Sequence, residues 1–152
     1  MDLSTIKPDV VNDVVKVPEI SLKKTGKFVE FQGKKISNSN DAYSFFMEIW
    51  NKDLIEAQEQ AYVVFLNNNN RPIGYYHHST GGINATIQDV EIISAMAFKS
   101  LCKGVIIAHN HPSGDPTPSE EDRYVTKQLS AAAKTLGMKL LDHIIFARRG
   151  YF

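Results

Sequence analysis

Apolar residues in this chain fall into short continuous runs and helical stripes separated by turn residues. Tyr62-Val63-Val64-Phe65-Leu66 is continuously apolar, Asn67 to Asn70 reads as a turn, and Arg71-Pro72-Ile73-Gly74-Tyr75-Tyr76 leads into a partner strand, so the pattern predicts a hairpin. Asparagine suits such a turn because it tolerates positive φ. Ser79-Thr80-Gly81-Gly82 breaks the pattern, and Asp89 caps a predicted helix from Val90 to about Leu101 with Ile93, Met96, Ala97 and Leu101 inward. Val105-Ile106-Ile107-Ala108, bounded by Gly104 and by Pro112-Ser113-Gly114, reads as a buried strand. Pro116 and Pro118 each push the preceding residue out of the α region, so the chain turns back there. Ser119-Glu120-Glu121-Asp122 then opens an apolar-periodic stretch (Tyr124, Val125, Leu129, Ala132, Leu136), with Ser119 as N-cap and Asp122 in the first turn. A last strand runs through Leu140 to Ala147.

Upstream, Tyr43, Phe46, Met47 and Trp50 recur at helical spacing between Asn40 and Asn51, an aromatic stripe that packs a helix on the domain. Residues 1–40 alternate short apolar pieces with Pro8, Pro18, Gly26 and Gly33, and are expected to form an extended arm with room for a small hairpin, ahead of a domain over 41–152. Helices alternating with a sheet predict a layered α/β or α+β domain.

Composition narrows the function classes. At 152 residues the chain fits one domain with a short extension, large enough for a core that needs no disulfide or metal to fold. Cys102 is the single cysteine, which excludes an internal disulfide and argues against a structural zinc, whose ligands are mostly cysteine. Met1-Asp2-Leu3-Ser4 lacks a basic region followed by an apolar one, and no apolar run approaches the roughly 18 residues of a membrane span. A cytoplasmic protein is therefore expected. The 17 basic residues balance 17 acidic ones, so nucleic-acid binding has no support from overall charge and could come only from a local patch.

The candidate chemistry lies at the end of the predicted strand. Residues i and i+2 of an extended segment project to the same side, so His109 and His111 present two imidazoles to one point while Asn110 faces away. Asp122 adds a carboxylate from a rigid helix end. Taken singly, the histidines could be hydrogen-bonded loop residues and Ser119-x-x-Asp122 a capping motif. Together they make the three-ligand pattern of a catalytic zinc site, with a fourth position for water.

His109-x-His111, seven residues, Ser119, two residues and Asp122 match the JAMM motif, and the chain resembles the JAB/MPN metalloproteases on that account. The run Ala108-His-Asn-His-Pro-Ser-Gly-Asp-Pro-Thr-Pro-Ser119 is similar to the signature of the RadC branch, and Leu141-Asp142-His143-Ile144-Ile145 resembles the strand that follows it there. The likeness covers roughly residues 55–152. It implies a mixed β-sheet with flanking helices in a three-layer, cytidine-deaminase-like arrangement. It also implies Zn2+ held by His109, His111 and Asp122, with Ser119 as a polar catalytic group near the metal-bound water and the developing oxyanion. RadC proteins carry a helix-hairpin-helix region that nothing here matches, and they continue for another strand's worth of residues beyond Phe152, so the comparison implies a shortened C-terminus. Asp142 or His143, near the metal, could orient a ligand imidazole through its free N–H or serve the strand alone.

One family position departs. JAMM enzymes carry a glutamate on an earlier strand, as general base and proton donor. Setting Gly81-Gly82-Ile83-Asn84 against the RadC stretch that follows this glutamate puts Tyr76 in its place, and no carboxylate lies between Arg71 and Gln88. His78 shares the face of Tyr76 on an extended segment and is a substitute to consider, whereas Glu59 and Glu91 would need another register. Zinc lowers the pKa of its water from about 15.7 to about 7, roughly 12 kcal/mol, while a positioned acid/base supplies about 10² to 10⁴ in rate. A site without the glutamate would keep the larger contribution and lack its proton donor.

Three functions follow as expectations. The first is a zinc metallohydrolase of metallopeptidase or isopeptidase type acting on a peptide or protein substrate. The second is a catalytically weak or inactive JAB module in DNA repair or maintenance that binds a protein or nucleic-acid partner. The third is a metal-dependent nuclease. Substrate identity and oligomeric state are not readable from the chain.

Overall fold

The computed structural model describes residues 10–11, 14–15, 26, 29–31, 35–81, 88–147 and 150–152. Two short strands, Val10–Val11 (β1) and Val14–Val15 (β2), pair antiparallel. Helix α1, Ser39–Ile49, starts where the Asn38 side chain accepts from Asp41 N. A 3-10 turn over Lys52–Leu54 leads to β3 (Gln60–Leu66), β4 (Pro72–Thr80), α2 (Val90–Lys99), β5 (Gly104–Asn110), α3 (Glu120–Thr135), β6 (Lys139–Ala147) and β7 (Gly150–Tyr151). Among the described residues, β3 to β7 form one mixed sheet in the order β4-β3-β5-β6-β7. β5 and β6 run parallel and the other neighbours antiparallel, so α3 is the crossover that a parallel pair requires.

Every residue of β3 and β5 is buried, which is why both read as continuous runs rather than alternating ones. Alternate side chains serve opposite faces. Tyr62, Val64, Leu66, Ile106, Ala108, Ile144 and Phe146 meet α1 through Phe45, Phe46 and Trp50. Val63, Phe65, Val105 and Ile107 meet α2 and α3 through Ile93, Ala97, Val125, Leu129 and Ala133. The result is a three-layer α+β domain, as the resemblance implied. Ile36 is buried against the α1 layer and Phe31 packs edge-on to Phe45 at 5.1 Å, so this stretch of the chain lies on the domain.

Several expectations shift in detail. The α1 stripe includes fully buried Phe45, and β4 runs on to Thr80. Leu101 is not inward: α2 ends at Lys99, Leu101 takes φ +57° and is 73% exposed, and Cys102 fills the buried position instead. Tyr124 and Leu136 also face out, because the inward face of α3 is Asp122, Val125, Leu129 and Ala133. Only Asn70 of the asparagine turn has positive φ among the described residues; Asn67 Oδ1 organises the turn by accepting from Asn69 N and Arg71 N. Helix α3 stops in a Schellman arrangement: Gly137, at φ +71°, donates to Lys134 O, and Met138 N donates to Ala133 O at 2.8 Å. The Gly82-Ile83-Asn84 stretch used for the Tyr76 alignment lies outside the described residues. No helix among the described residues is long and apolar enough to cross a membrane.

Candidate metal centre

β5 delivers His109 between two neighbours, paired with Ala61 of β3 and Ile145 of β6, and leaves it fully buried. His111 lies one residue past the strand, where its N–H continues the ladder to Phe146 O at 2.7 Å. A tight turn follows, with Gly114 at φ +85° donating to His111 O. Beyond it, the Asp115 carbonyl accepts from His111 Nδ1 at 2.8 Å. A carbonyl cannot donate, so Nδ1 carries the hydrogen and a neutral His111 offers a bare lone pair at Nε2.

Asp122 arrives through a capping box. Ser119 Oγ accepts from Asp122 N, while Asp122 Oδ2 accepts from Ser119 N at 2.7 Å and from Ser119 Oγ at 2.6 Å. The cap and the site are one device: it saturates Oδ2 and aims Oδ1 at His109 Nε2, 3.1 Å away. Ser119 Oγ thus spends its hydrogen on Asp122. His109 Nε2 and His111 Nε2 are 3.0 Å apart, and His111 Nε2 lies 3.6 Å from Asp122 Oδ2.

Nε2 atoms and carboxylate oxygens converging this closely need positive charge among them, from ring hydrogens in the metal-free chain or from a metal ion in their place. For ligand bonds of about 2.0 to 2.1 Å, donors at the corners of a tetrahedron are about 3.3 to 3.4 Å apart, and the observed separations straddle that value. Two imidazoles and a carboxylate suit zinc among available divalent ions. The donor set therefore fits the metal that the resemblance implied.

In the metal-free chain, ring hydrogens take the place that a metal would fill. Burial would raise the Asp122 carboxyl, but hydrogen bonds from His109, His111 and Ser119 outweigh it and hold the group far below the ordinary carboxylate range. The hydrogen bond to Asp122 raises His111 above its ordinary value, against burial. His143, on β6, is pushed down to about 3 by burial and then by the charge of His109.

The acid beside these rings is Glu59, not Tyr76. A carboxylate oxygen of Glu59 and a ring nitrogen from each of His109 and His111 lie within 4.8 Å of one another, and Glu59 is 9% exposed. Strand register explains the correction. Ala61 pairs with His109, so two residues earlier on β3 and two later on β5 bring Glu59 opposite His111. Tyr76 pairs with Val63, which pairs with Ile107. It stands two strands across from β5, roughly 10 Å, and two residues, roughly 7 Å, along the sheet from His109, packed into the α2–α3 side of the core. His78 is no substitute, since its Nε2 accepts from Asp89 N at the start of α2 at 2.9 Å.

Asn110 does face away from the rings, yet it bears on the site. Its Oδ1 accepts from Gln60 N at 2.7 Å, and its Nδ2 donates to Ile55 O at 2.7 Å and Gln58 O at 2.9 Å. These bonds grip the backbone on both sides of Glu59. The place of Asn110 between His109 and His111 was the local signal for it. His143 Nε2 lies 2.9 Å from His109 Nδ1, and His143 Nδ1 lies 2.6 Å from Thr126 Oγ1. Thr126 carried no signal in the sequence.

A family model described as "RadC-like JAB domain" matches residues 36–152. The chain belongs to that family. Among its relatives, a UPF0758 protein of Flavobacterium johnsoniae is 37% identical over 119 residues, 78% of this chain and 51% of the relative. One of Thermotoga maritima is 35% identical over 119 residues, 78% and 52% of the two chains. One of Listeria monocytogenes is 42% identical over 94 residues, 62% and 42%. This RadC-like chain spans about half the length of the curated relatives it matches. Within the RadC-like domain, a groove of about 560 Å³ runs between α3 and β6 past Asp122 and His143, with Arg123 and Lys127 on one wall and Leu141 and Asp142 on the other.

Proposed function

We propose that this RadC-like domain is a zinc-dependent hydrolase of amide or isopeptide bonds in a peptide or protein substrate. One observation carries the reading: the donor atoms of His109, His111 and Asp122 converge with the Glu59 carboxylate beside them. A zinc ion held by the three groups supplies Lewis acidity and lowers the pKa of a water to about 7. Glu59 takes a proton from the attacking water at its carboxylate and returns it to the leaving nitrogen. Asp122, far below the ordinary carboxylate range, stays an anion throughout. The substrate lies in the groove along α3, which Asp122 lines.

The binding-only reading was motivated by a missing acid, and Glu59 removes that motive. Zinc analysis of the full chain beside hydrolysis of quenched peptides and isopeptide-linked conjugates tests the proposal. The expected result is about one zinc per chain, lost in His109→Ala and Asp122→Ala. Glu59→Gln should keep the zinc and lose about 10² to 10⁴ in rate. A wild-type protein that takes up no divalent metal, or a Glu59→Gln variant as active as wild type, would sink it.

A further inference from the structure

We infer that Thr126 and His143 form a positioning relay that dictates which nitrogen of His109 carries its hydrogen, leaving the Nε2 lone pair directed at the metal position. Its purpose rests on the zinc reading above; its geometry does not.

The direction of each hydrogen bond follows from the far end. Thr126 Oγ1 is 2.6 Å from Asp122 O, the carbonyl one turn back along α3. That carbonyl can only accept, so the single hydroxyl hydrogen of Thr126 is committed to it. The 2.6 Å contact between Thr126 Oγ1 and His143 Nδ1 must then be donated by the ring. With its hydrogen on Nδ1, a neutral His143 has a lone pair at Nε2. The 2.9 Å contact to His109 is therefore donated by His109 Nδ1, which keeps its hydrogen, so that Nε2, facing Asp122 Oδ1 at 3.1 Å, is the nitrogen that offers its lone pair to a metal. A doubly protonated His143 is the other way to satisfy Thr126, and it would place a half-buried cation between a ring and a hydroxyl oxygen, with the nearby Asp122 carboxylate already engaged by Ser119 and His109.

The relay starts on the backbone of one ligand, Asp122, and ends on the ring of another, His109. It thereby ties the helix end to the central strand through β6. It also explains why His143, half-buried and on the same face of the sheet, is a histidine rather than an apolar residue. Ring orientation by a partner on the remote nitrogen is a known determinant of metal affinity, with loss of the partner costing about 10- to 100-fold. Thr126 touches neither ring nitrogen of His109, so it acts only through His143.

The test is made on the full chain with two readouts: zinc affinity against a competing chelator, and the tautomer of His109 in metal-free protein by two-bond ¹H–¹⁵N NMR of the histidine rings. Thr126→Val removes the acceptor at nearly constant volume. It should weaken zinc binding about 10- to 100-fold and release His109 from the Nδ1–H form, and Thr126→Ser should restore both. His143→Gln, which keeps an acceptor for His109 Nδ1, should hold near wild-type affinity, whereas His143→Leu should behave as Thr126→Val; this pair decides the matter if the valine variant does not fold. Unchanged affinity in Thr126→Val, weakened affinity with His109 still in the Nδ1–H form, or no restoration by serine overturns the relay. A wild type that binds no zinc defeats the hydrolase reading instead, and the tautomer comparison still decides the relay.

Discussion

A carboxylate oxygen of Glu59 lies within 4.8 Å of a ring nitrogen of His111 across the edge of the β3–β5 ladder, two places beyond the Ala61–His109 pair. Residues 52 positions apart in the chain thus become neighbours through strand register, and the first prediction follows. Tyr76→Phe should leave zinc content and hydrolysis at wild-type values, while Glu59→Gln depresses turnover with zinc retained. Steady-state kinetics beside metal analysis reads both, and a large loss of turnover in Tyr76→Phe would restore the rejected assignment.

Asn110 is fully buried and satisfies three backbone groups on either side of Glu59. Asn110→Leu keeps the volume and abandons all three. At about 1 to 3 kcal/mol for each buried group left without a partner, the expected destabilisation is on the order of 3 kcal/mol or more. Urea unfolding measures it; a midpoint within error of wild type would mean that the 55–60 segment finds other partners.

Phe46 is fully buried and makes edge contacts with Phe45, Trp50 and Phe146, joining α1 to the sheet. Phe46→Ala should cost about 3 to 5 kcal/mol by lost burial and the cavity it leaves. Because this layer lies on the face opposite His109 and His111, zinc stoichiometry of the folded fraction should not change. Calorimetry with metal analysis separates the two effects.

Metal-free protein should lose stability as pH falls. His143 is lowered from 6.5 to about 3 in the fold, so below 6.5 the unfolded chain takes up a proton that the native state refuses. Its contribution is complete above pH 6.5 and is lost on the way down to about 3, on the order of 5 kcal/mol at 1.36 kcal/mol per pH unit. Asp122, also lowered, acts in the same direction, its contribution lost as pH falls below the ordinary carboxylate value. His111, raised, opposes them: it stabilises below 6.5 and loses that contribution as pH climbs through its folded value. Urea midpoints between pH 4 and 8 should therefore rise with pH overall, and His143→Gln should flatten the acid limb. A limb equally steep in that variant would assign it to other groups.

Much of this protein is local, and what is local was legible. The strands announced themselves because β3 and β5 are covered on both faces, so every residue is buried and most are apolar. The convergence of His109, His111 and Asp122 was readable because alternation along one strand places His109 beside His111, and a capping box places Asp122 on the first turn of α3. What only the tertiary structure decided has a common physical character. Glu59, Asn110, Thr126 and His143 owe their roles to contacts such as Gln60–Asn110 and His109–His143, 50 and 34 residues apart. No period in the chain encodes such distances, since strand register is set by packing of the whole sheet against its helices. A family resemblance read through glycines placed the acid on β4; the ladder between β3 and β5 placed it one strand nearer, at the histidines.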